Sequence, residues 1–224
     1  MSLRLPLFPL GTVLFPGLVL PLHVFEERYR LLVRELLELP EDQRRFGVVA
    51  IRSGREVGSD GVRALYDVGC VAHLRSAEAH PDGRFDIVST GTARFRLHGL
   101  NASDKAYLTG EVEVLGDGMG AAAEAPLLDR AVRAAFGAYL RALSVASGES
   151  IEPPDLPDDP LVLGYLVAAT TALDLDERQR LLAEPDGASR LRAELSLLRR
   201  EATLLERLRA APAPELARVP ACPN

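Results

Sequence analysis

Leu5-Pro6-Leu7-Phe8-Pro9-Leu10-Gly11-Thr12-Val13-Leu14-Phe15-Pro16-Gly17-Leu18-Val19-Leu20-Pro21-Leu22-His23-Val24-Phe25-Glu26 is the stretch on which the reading of this 224-residue chain turns. Prolines recur at 6, 9, 16 and 21 between apolar steps. Proline lacks an N–H and fixes φ, so here it restricts pairing and bends the chain between short strands. Val13–Phe15 and Val19–Leu22 read as two such strands, with Gly17 supplying the turn between them.

The same pattern continues outward as far as Leu115. Phe46–Ile51, Val68–Leu74, Phe85–Val88, Ala93–Leu97 and Leu108–Leu115 are short apolar runs bounded by Gly, Pro, Asp or Ser, the signature of strands. Pro81-Asp82-Gly83 carries turn chemistry and predicts a hairpin between Val71–Leu74 and Phe85–Val88. Gly91 and Thr92 read as punctuation before a strand in which Phe95 and Leu97 alternate with Arg94, Arg96 and His98. One helix interrupts this half. From Glu26 to Leu39, the residues Phe25, Tyr29, Leu32, Val33, Leu36 and Leu37 share one side, Glu26, Arg30, Arg34 and Glu38 line the other, and Pro40 ends the run.

Beyond about Ala121 the periodicity becomes helical. Ala121–Ser147 carries Leu127, Leu128, Val132, Ala135, Phe136 and Tyr139 at helical spacing. The Pro- and acid-rich stretch Glu152–Asp159 reads as a loop. Asp159-Pro160 then starts a helix, Asp as cap and Pro in the first turn. Asp174 with Glu177 makes a capping-box start for a short helix to Ala183. In the last helix, about Gly187 to Ala210, Leu191, Leu195, Leu198, Ala202, Leu205 and Leu208 follow mostly a 4-3-4-3 spacing, the seam of a helix that packs on another helix. The fold class is α+β, with a β-rich subdomain over 1–117, a helical subdomain over 118–211 and a Pro/Ala-rich tail over 212–224.

The composition is that of an ordinary globular protein, 47% hydrophobic and 26% charged. A net charge of −6 gives no support to nucleic-acid binding, which needs clustered positive charge. Pro6, Pro9 and Pro16 interrupt any signal-peptide core, and no apolar stretch reaches membrane-spanning length, so the expected setting is cytoplasmic with no membrane partner. Cys70, in an apolar run, and Cys222, in the tail, are not expected to form a structural disulfide.

The opening stretch resembles the signature start of the N-terminal, substrate-recognition domain of Lon proteases: paired Pro-hydrophobic steps, Phe15-Pro16-Gly17, then Leu20-Pro21-Leu22 before a Glu/Arg helix. Tyr66-Asp67-Val68-Gly69-Cys70-Val71-Ala72 resembles the family's aromatic-x-Val-Gly-x-Val-Ala strand, and Gly91-Thr92-Ala93-Arg94-Phe95-Arg96-Leu97 its Arg-containing strand. Asp158-Asp159-Pro160, the short helix to Ala183 and the leucine-rich helix extend the likeness from Leu3 to Leu208. The resemblance implies a PUA-like β pseudo-barrel with one embedded helix followed by a C-terminal helical bundle. It also implies a module that binds unfolded or extended protein segments, with a AAA+ protease in trans as a further partner class.

The machinery of a complete protease of that family is not legible here. No G-x-x-x-x-G-K-S/T phosphate loop occurs. A Ser–Lys dyad would require Lys105, the sole lysine. Ser103 is two residues away, but Asn101–Lys105 reads as a polar turn with nothing nearby to desolvate the amine. No catalytic residue and no cofactor is expected. His23, His73, His80 and His98 show no metal-ligand spacing, so no metal site is expected. Gly54, Gly58 and Gly61 lie in a loop without the strand-Gly-helix context of a dinucleotide site. The polar surface nearest the signature is the charged face of the first helix, and Glu26, Glu27, Arg30 and Arg34 are the candidate binding residues; a solvated helix face is the plainer account of these charges. Short strands broken by proline leave open edges that can accept an extended peptide. Two other readings stay open: a scaffold using the leucine seam, and a small-ligand binder using a cleft in the barrel. An exposed seam would favour the first and a polar cleft the second.

Overall fold

Pro6 and Pro9 do not break the first strand, and Pro6 marks where it changes partner. In the computed structural model, which describes residues 2–54, 62–101 and 105–210, β1 (Ser2–Leu10) runs unbroken through both prolines. Its residues Ser2–Pro6 pair antiparallel with β7 (Thr109–Val114), and Leu7–Leu10 pair parallel with β3 (Arg45–Gly54). The other strands are β2 (Val19–Val24), β4 (Val62–Leu65), β5 (Val68–Ala79) and β6 (Phe85–Asn101). The pairings β1–β7, β7–β6, β6–β5, β5–β3 and β3–β1 return to their start, so the sheet closes on itself. Closure leaves fewer open edges. All pairings except β1–β3 are antiparallel.

The expected strand Val13–Phe15 is not one. Leu14 and Phe15 are buried, but their segment joins no strand ladder. It enters a turn in which Leu18 N–H donates to the Phe15 carbonyl at 3.2 Å and Gly17 adopts φ +82°, a conformation that favours glycine. Gly91 likewise does not interrupt a strand. β6 continues past it, with Ala93 opposite Val71 and Gly91 opposite Ala72, so Thr92 is the extra residue of a bulge. Its hydroxyl donates to the Val71 carbonyl at 3.1 Å. A side chain at Gly91 would come within 2.3 Å of the Phe15 carbonyl oxygen. Glycine therefore permits the opening stretch to lie against β6, with reciprocal hydrogen bonds of 2.9 Å from Gly17 to Gly91 and from Gly91 to Leu18.

α1 (Glu27–Leu37) buries Tyr29, Leu32, Val33 and Leu36 against Phe46, Cys70, Leu74 and Ile87. Each such side chain contributes about 1.5–3 kcal/mol over its exposed state. The helix is shorter than its periodicity suggested, and Phe25 lies ahead of it with 48% of its surface exposed rather than on the buried side. Leu5, Leu7, Val49, Val71, Phe95 and Val112 form a second core between strands.

Five α-helices occur among the described residues. α2 (Ala125–Ser147) ends on Gly148 at φ +73°, the left-handed cap that glycine favours. α3 (Pro160–Thr170) begins as its sequence predicts, the Asp159 carboxylate accepting from Leu161 N–H at 2.8 Å. α4 (Leu175–Ala183) carries the expected Asp174–Glu177 capping box. In α5 (Gly187–Ala210), Leu191, Leu195, Leu198, Ala202 and Leu205 pack with Val132, Phe136 and Tyr139 of α2. The leucine seam is thus consumed within the chain. Cys222 and the predicted tail from 212 onward lie outside the described residues, as do most of the glycine-rich loop (55–61) and Ser103.

Candidate functional site

Of the four charged residues singled out at the first helix, Glu27, Arg30 and Arg34 pair with one another, whereas Glu26 pairs elsewhere. Glu26 stands at the N-cap position of α1, but its carboxylate pairs with Arg28 at 2.9 Å and makes no cap hydrogen bond. Glu27 accepts from Arg34 at 2.8 Å and Arg30 at 3.1 Å, and the Arg34 hydrogen bond holds its carboxyl below the usual range. Arg30 also packs over the hairpin turn, where a side chain at Gly83 would come within 2.0 Å of its guanidinium. Exposed pairs of this kind contribute little to stability. Their electrostatic demand is met within the helix and the adjoining turn.

Beside this network lies an opening that the sequence did not reveal. Between Phe8–Leu10 of β1 and Leu22–Val24 of β2 is an apolar slot of about 130 Å³. Phe8 and Tyr29 stack at 4.1 Å in its wall, with Arg28 held over Tyr29 at 4.6 Å. Half-exposed Phe25 and partly exposed Glu26 form its rim. β2 pairs only with β6 among the described residues, so its far edge meets the slot. Pro21 has no N–H to offer, a common feature of edge strands. Val19 (64%) and Val88 (37%) add exposed apolar surface.

A second, polar opening separates the sheet from α4. This cleft of about 850 Å³ is lined by Arg52, Tyr66, Asp67, Arg96, Asp176 and Arg180 among others. The Tyr66 hydroxyl donates to the Asp176 carboxylate, which raises the tyrosine pKa. Gln179 closes the cleft floor, its amide donating to the Val68 carbonyl at 2.8 Å.

Beneath it, buried ionic groups fasten strands to helices. Arg94, 1% exposed, donates to Asp117 at 2.7 Å and to the carbonyls of Leu182 and Glu184 at 2.9 and 2.5 Å. Arg190 lies over the Tyr165 ring at 4.1 Å. The carboxyl of Glu194, sealed in beside it, is held well above its ordinary pKa by burial.

The candidate nucleophiles are poorly placed for chemistry. Burial pushes the Cys70 thiol up to about 12, so little thiolate exists at neutral pH. Lys105 Nζ is paired with Glu35 of α1 at 2.5 Å. Of the four histidines, His73 bonds the Glu41 carbonyl and His98 the Glu113 carboxylate. His23 and His80 converge on Asp86, an arrangement no sequence spacing announced. No helix among the described residues is long and apolar enough to cross a membrane.

These features define a mixed α/β chain: a largely antiparallel sheet with five helices, carrying an apolar slot and a polar cleft on its surface. Residues 4–200 match the ATP-dependent protease La (LON) substrate-binding domain, and the chain belongs to that family. It is 27% identical over 206 residues to Lon protease 2 of Herpetosiphon aurantiacus, covering 92% of this chain and 25% of that protein. Lon protease of Escherichia coli K12 is 26% identical over 207 residues, again across about a quarter of its length. The chain thus spans about a quarter of the length of the curated relatives it matches. Among solved structures, a Lon N-terminal domain protein from Xanthomonas campestris superposes with a TM-score of 0.62 at 27% identity, covering 87% of this chain and 98% of that one. The N-terminal domain of a Mycobacterium avium complex Lon protease gives the same TM-score at 14% identity and supports the fold alone.

Proposed function

We propose that this chain is a non-catalytic recognition module that binds an extended, unfolded protein segment and seats one of its apolar side chains in the slot between β1 and β2. The slot carries the reading: its volume suits one large apolar side chain, and the unpaired edge of β2 runs alongside it. Backbone pairing to that edge would give sequence-tolerant affinity, and the slot would give the preference for an apolar residue. One anchor contributes about 1.5–3 kcal/mol, so micromolar or weaker binding is expected once the cost of ordering the segment is met. Such affinity suits a client that must be handed on.

The closed ring of strands supports a PUA-like pseudo-barrel, and the helices after residue 117 support a helical bundle as the second subdomain. The role that follows is an adaptor or regulator of proteolysis in the cytoplasm, with a AAA+ protease in trans as the receiving partner. Glu26 would act at the slot's rim; Glu27, Arg30 and Arg34 are assigned to holding the helix surface. A second reading, an anionic small ligand in the polar cleft, is favoured by the three arginines Arg52, Arg96 and Arg180 there.

Fluorescence anisotropy with labelled, reduced and carboxymethylated α-lactalbumin tests the leading reading. Saturable binding that the folded protein does not compete, weakened at least fivefold by Phe25→Glu, is the expected result. Equal binding by Phe25→Glu, or no binding, would overturn it. The chain alone should leave casein uncleaved.

A further inference from the structure

We propose that His23, His80 and Asp86 form a binding site for a divalent transition-metal ion of the Zn2+ class, at the hairpin end of the β2–β6–β5 sheet. The strand registers build it. β2 and β6 place His23 directly opposite Asp86, and β6 and β5 place Asp86 opposite Glu78. Residues on one rung share a face of the sheet, so an imidazole and two carboxylates lie in a row. His80, two residues beyond Glu78, joins them from the turn. That turn is fixed by backbone hydrogen bonds of 2.9 Å from His80 to the Arg84 carbonyl and from Gly83 to the His80 carbonyl.

His23 Nδ1 lies 2.6 Å from one Asp86 oxygen and His80 Nε2 2.7 Å from the other. The three ligand atoms fall within 4.8 Å of one another. Ligands around Zn2+ at about 2.0–2.2 Å from the ion sit slightly farther apart than these hydrogen bonds, so small side-chain rotations suffice. The side chains are 46%, 33% and 51% exposed for His23, His80 and Asp86, which leaves them room to rotate. Two imidazoles and a carboxylate without thiolate suit Zn2+ and its neighbours rather than Ca2+ or Mg2+, which prefer all-oxygen sites. Water or Glu78 would complete the shell.

The neighbouring charges are compatible. Arg84 is engaged with Asp82 at 2.6 Å. Its 3.4 Å contact to His23 Nε2, the nitrogen remote from the ion, is at the limit of a hydrogen bond. An ion here would tie β2, whose only strand pairing among the described residues is with β6, to the turn beyond β5. The inference does not depend on peptide binding in the slot.

Calorimetric titration of the untagged full chain with Zn2+ alone tests it, with His80→Ala and Asp86→Asn as comparisons. We expect one Zn2+ per chain and at least tenfold weaker binding in each variant. The melting temperature of the parent should rise about 5 °C or more at Zn2+ a hundredfold above Kd. Co2+ bound to the parent should give visible absorption bands that Zn2+ displaces and that both variants lose; this readout does not require the variants to match the parent in stability. No saturable binding near one equivalent, or equal affinity and retained Co2+ bands in both variants, would overturn the site.

Discussion

The guanidinium of Arg94, on a strand, donates to the carbonyl oxygen of Leu182, in the last turn of α4, at 2.9 Å. With Asp117 and Glu184 as further partners, it neutralises a carboxylate and occupies carbonyls that a helix end leaves unsatisfied. The sheet and the helices are thereby joined by a buried charge as well as by the apolar contacts of Phe15, Val68, Leu181 and Leu182.

Removing one member of such a cluster strands the others. Arg94→Met should cost about 3–5 kcal/mol, because Asp117 and the carbonyls of Gly116, Leu182 and Glu184 lose their donor. Arg96→Met, two residues on and exposed, should stay within about 0.5 kcal/mol. Urea unfolding of both variants checks this, and equal losses would remove Arg94 from its joining role.

Two glycines of similar sequence character should respond oppositely. A side chain at Gly69 would meet the Phe95 ring at 2.4 Å and the Val48 carbonyl at 2.5 Å, whereas at Gly99 it meets nothing within 4 Å. Gly69→Ala should therefore destabilise by about 1–3 kcal/mol. Gly99→Ala should be near neutral, by the same thermal or urea melts.

Asp174→Ala removes the half of the α4 capping box in which the Asp174 carboxylate accepts from Glu177 N–H, and leaves the half donated by the Asp174 backbone N–H. A loss of about 0.5–2 kcal/mol is expected, read as a drop of roughly 2–4 °C in melting temperature per kcal/mol for a chain of this size. Asp174→Asn should recover most of it, since the amide oxygen can still accept the Glu177 N–H.

Acid should weaken the tie between α1 and the segment before β7. Hydrogen bonds from Lys105 and then Tyr107 hold the Glu35 carboxyl below its ordinary value of 4.5. A depressed carboxylate stabilises the fold fully above the unfolded value, and that contribution is lost as pH falls through the folded one. Melting temperature should thus decline as pH drops below about 4.5, and the decline should be shallower in Glu35→Gln. Identical slopes would contradict this assignment.

What the sequence disclosed was local. Asp159-Pro160, the Asp174–Glu177 box and the leucine spacing of α5 are signals written within a few residues, and each predicted its element. Gly91-Thr92 misled because turn-forming residues also make bulges, and only the register of β5 against β6 tells the two apart. Phe25 was assigned to the buried helix side by spacing, but the chain reaches it before the helix begins. The change of partner at Pro6, the slot between β1 and β2, and the meeting of His23 with Asp86 sixty-three positions away depend on strand order. Periodicity carries no information about that.

The most direct measurement is backbone amide chemical-shift mapping of the 15N-labelled chain titrated with an unfolded polypeptide. The account predicts perturbations centred on Leu22–Glu26 and on Phe8 and Leu10, with little change around Arg96 and Arg180. Perturbations confined to the polar cleft, or none at all at saturating polypeptide, would contradict it.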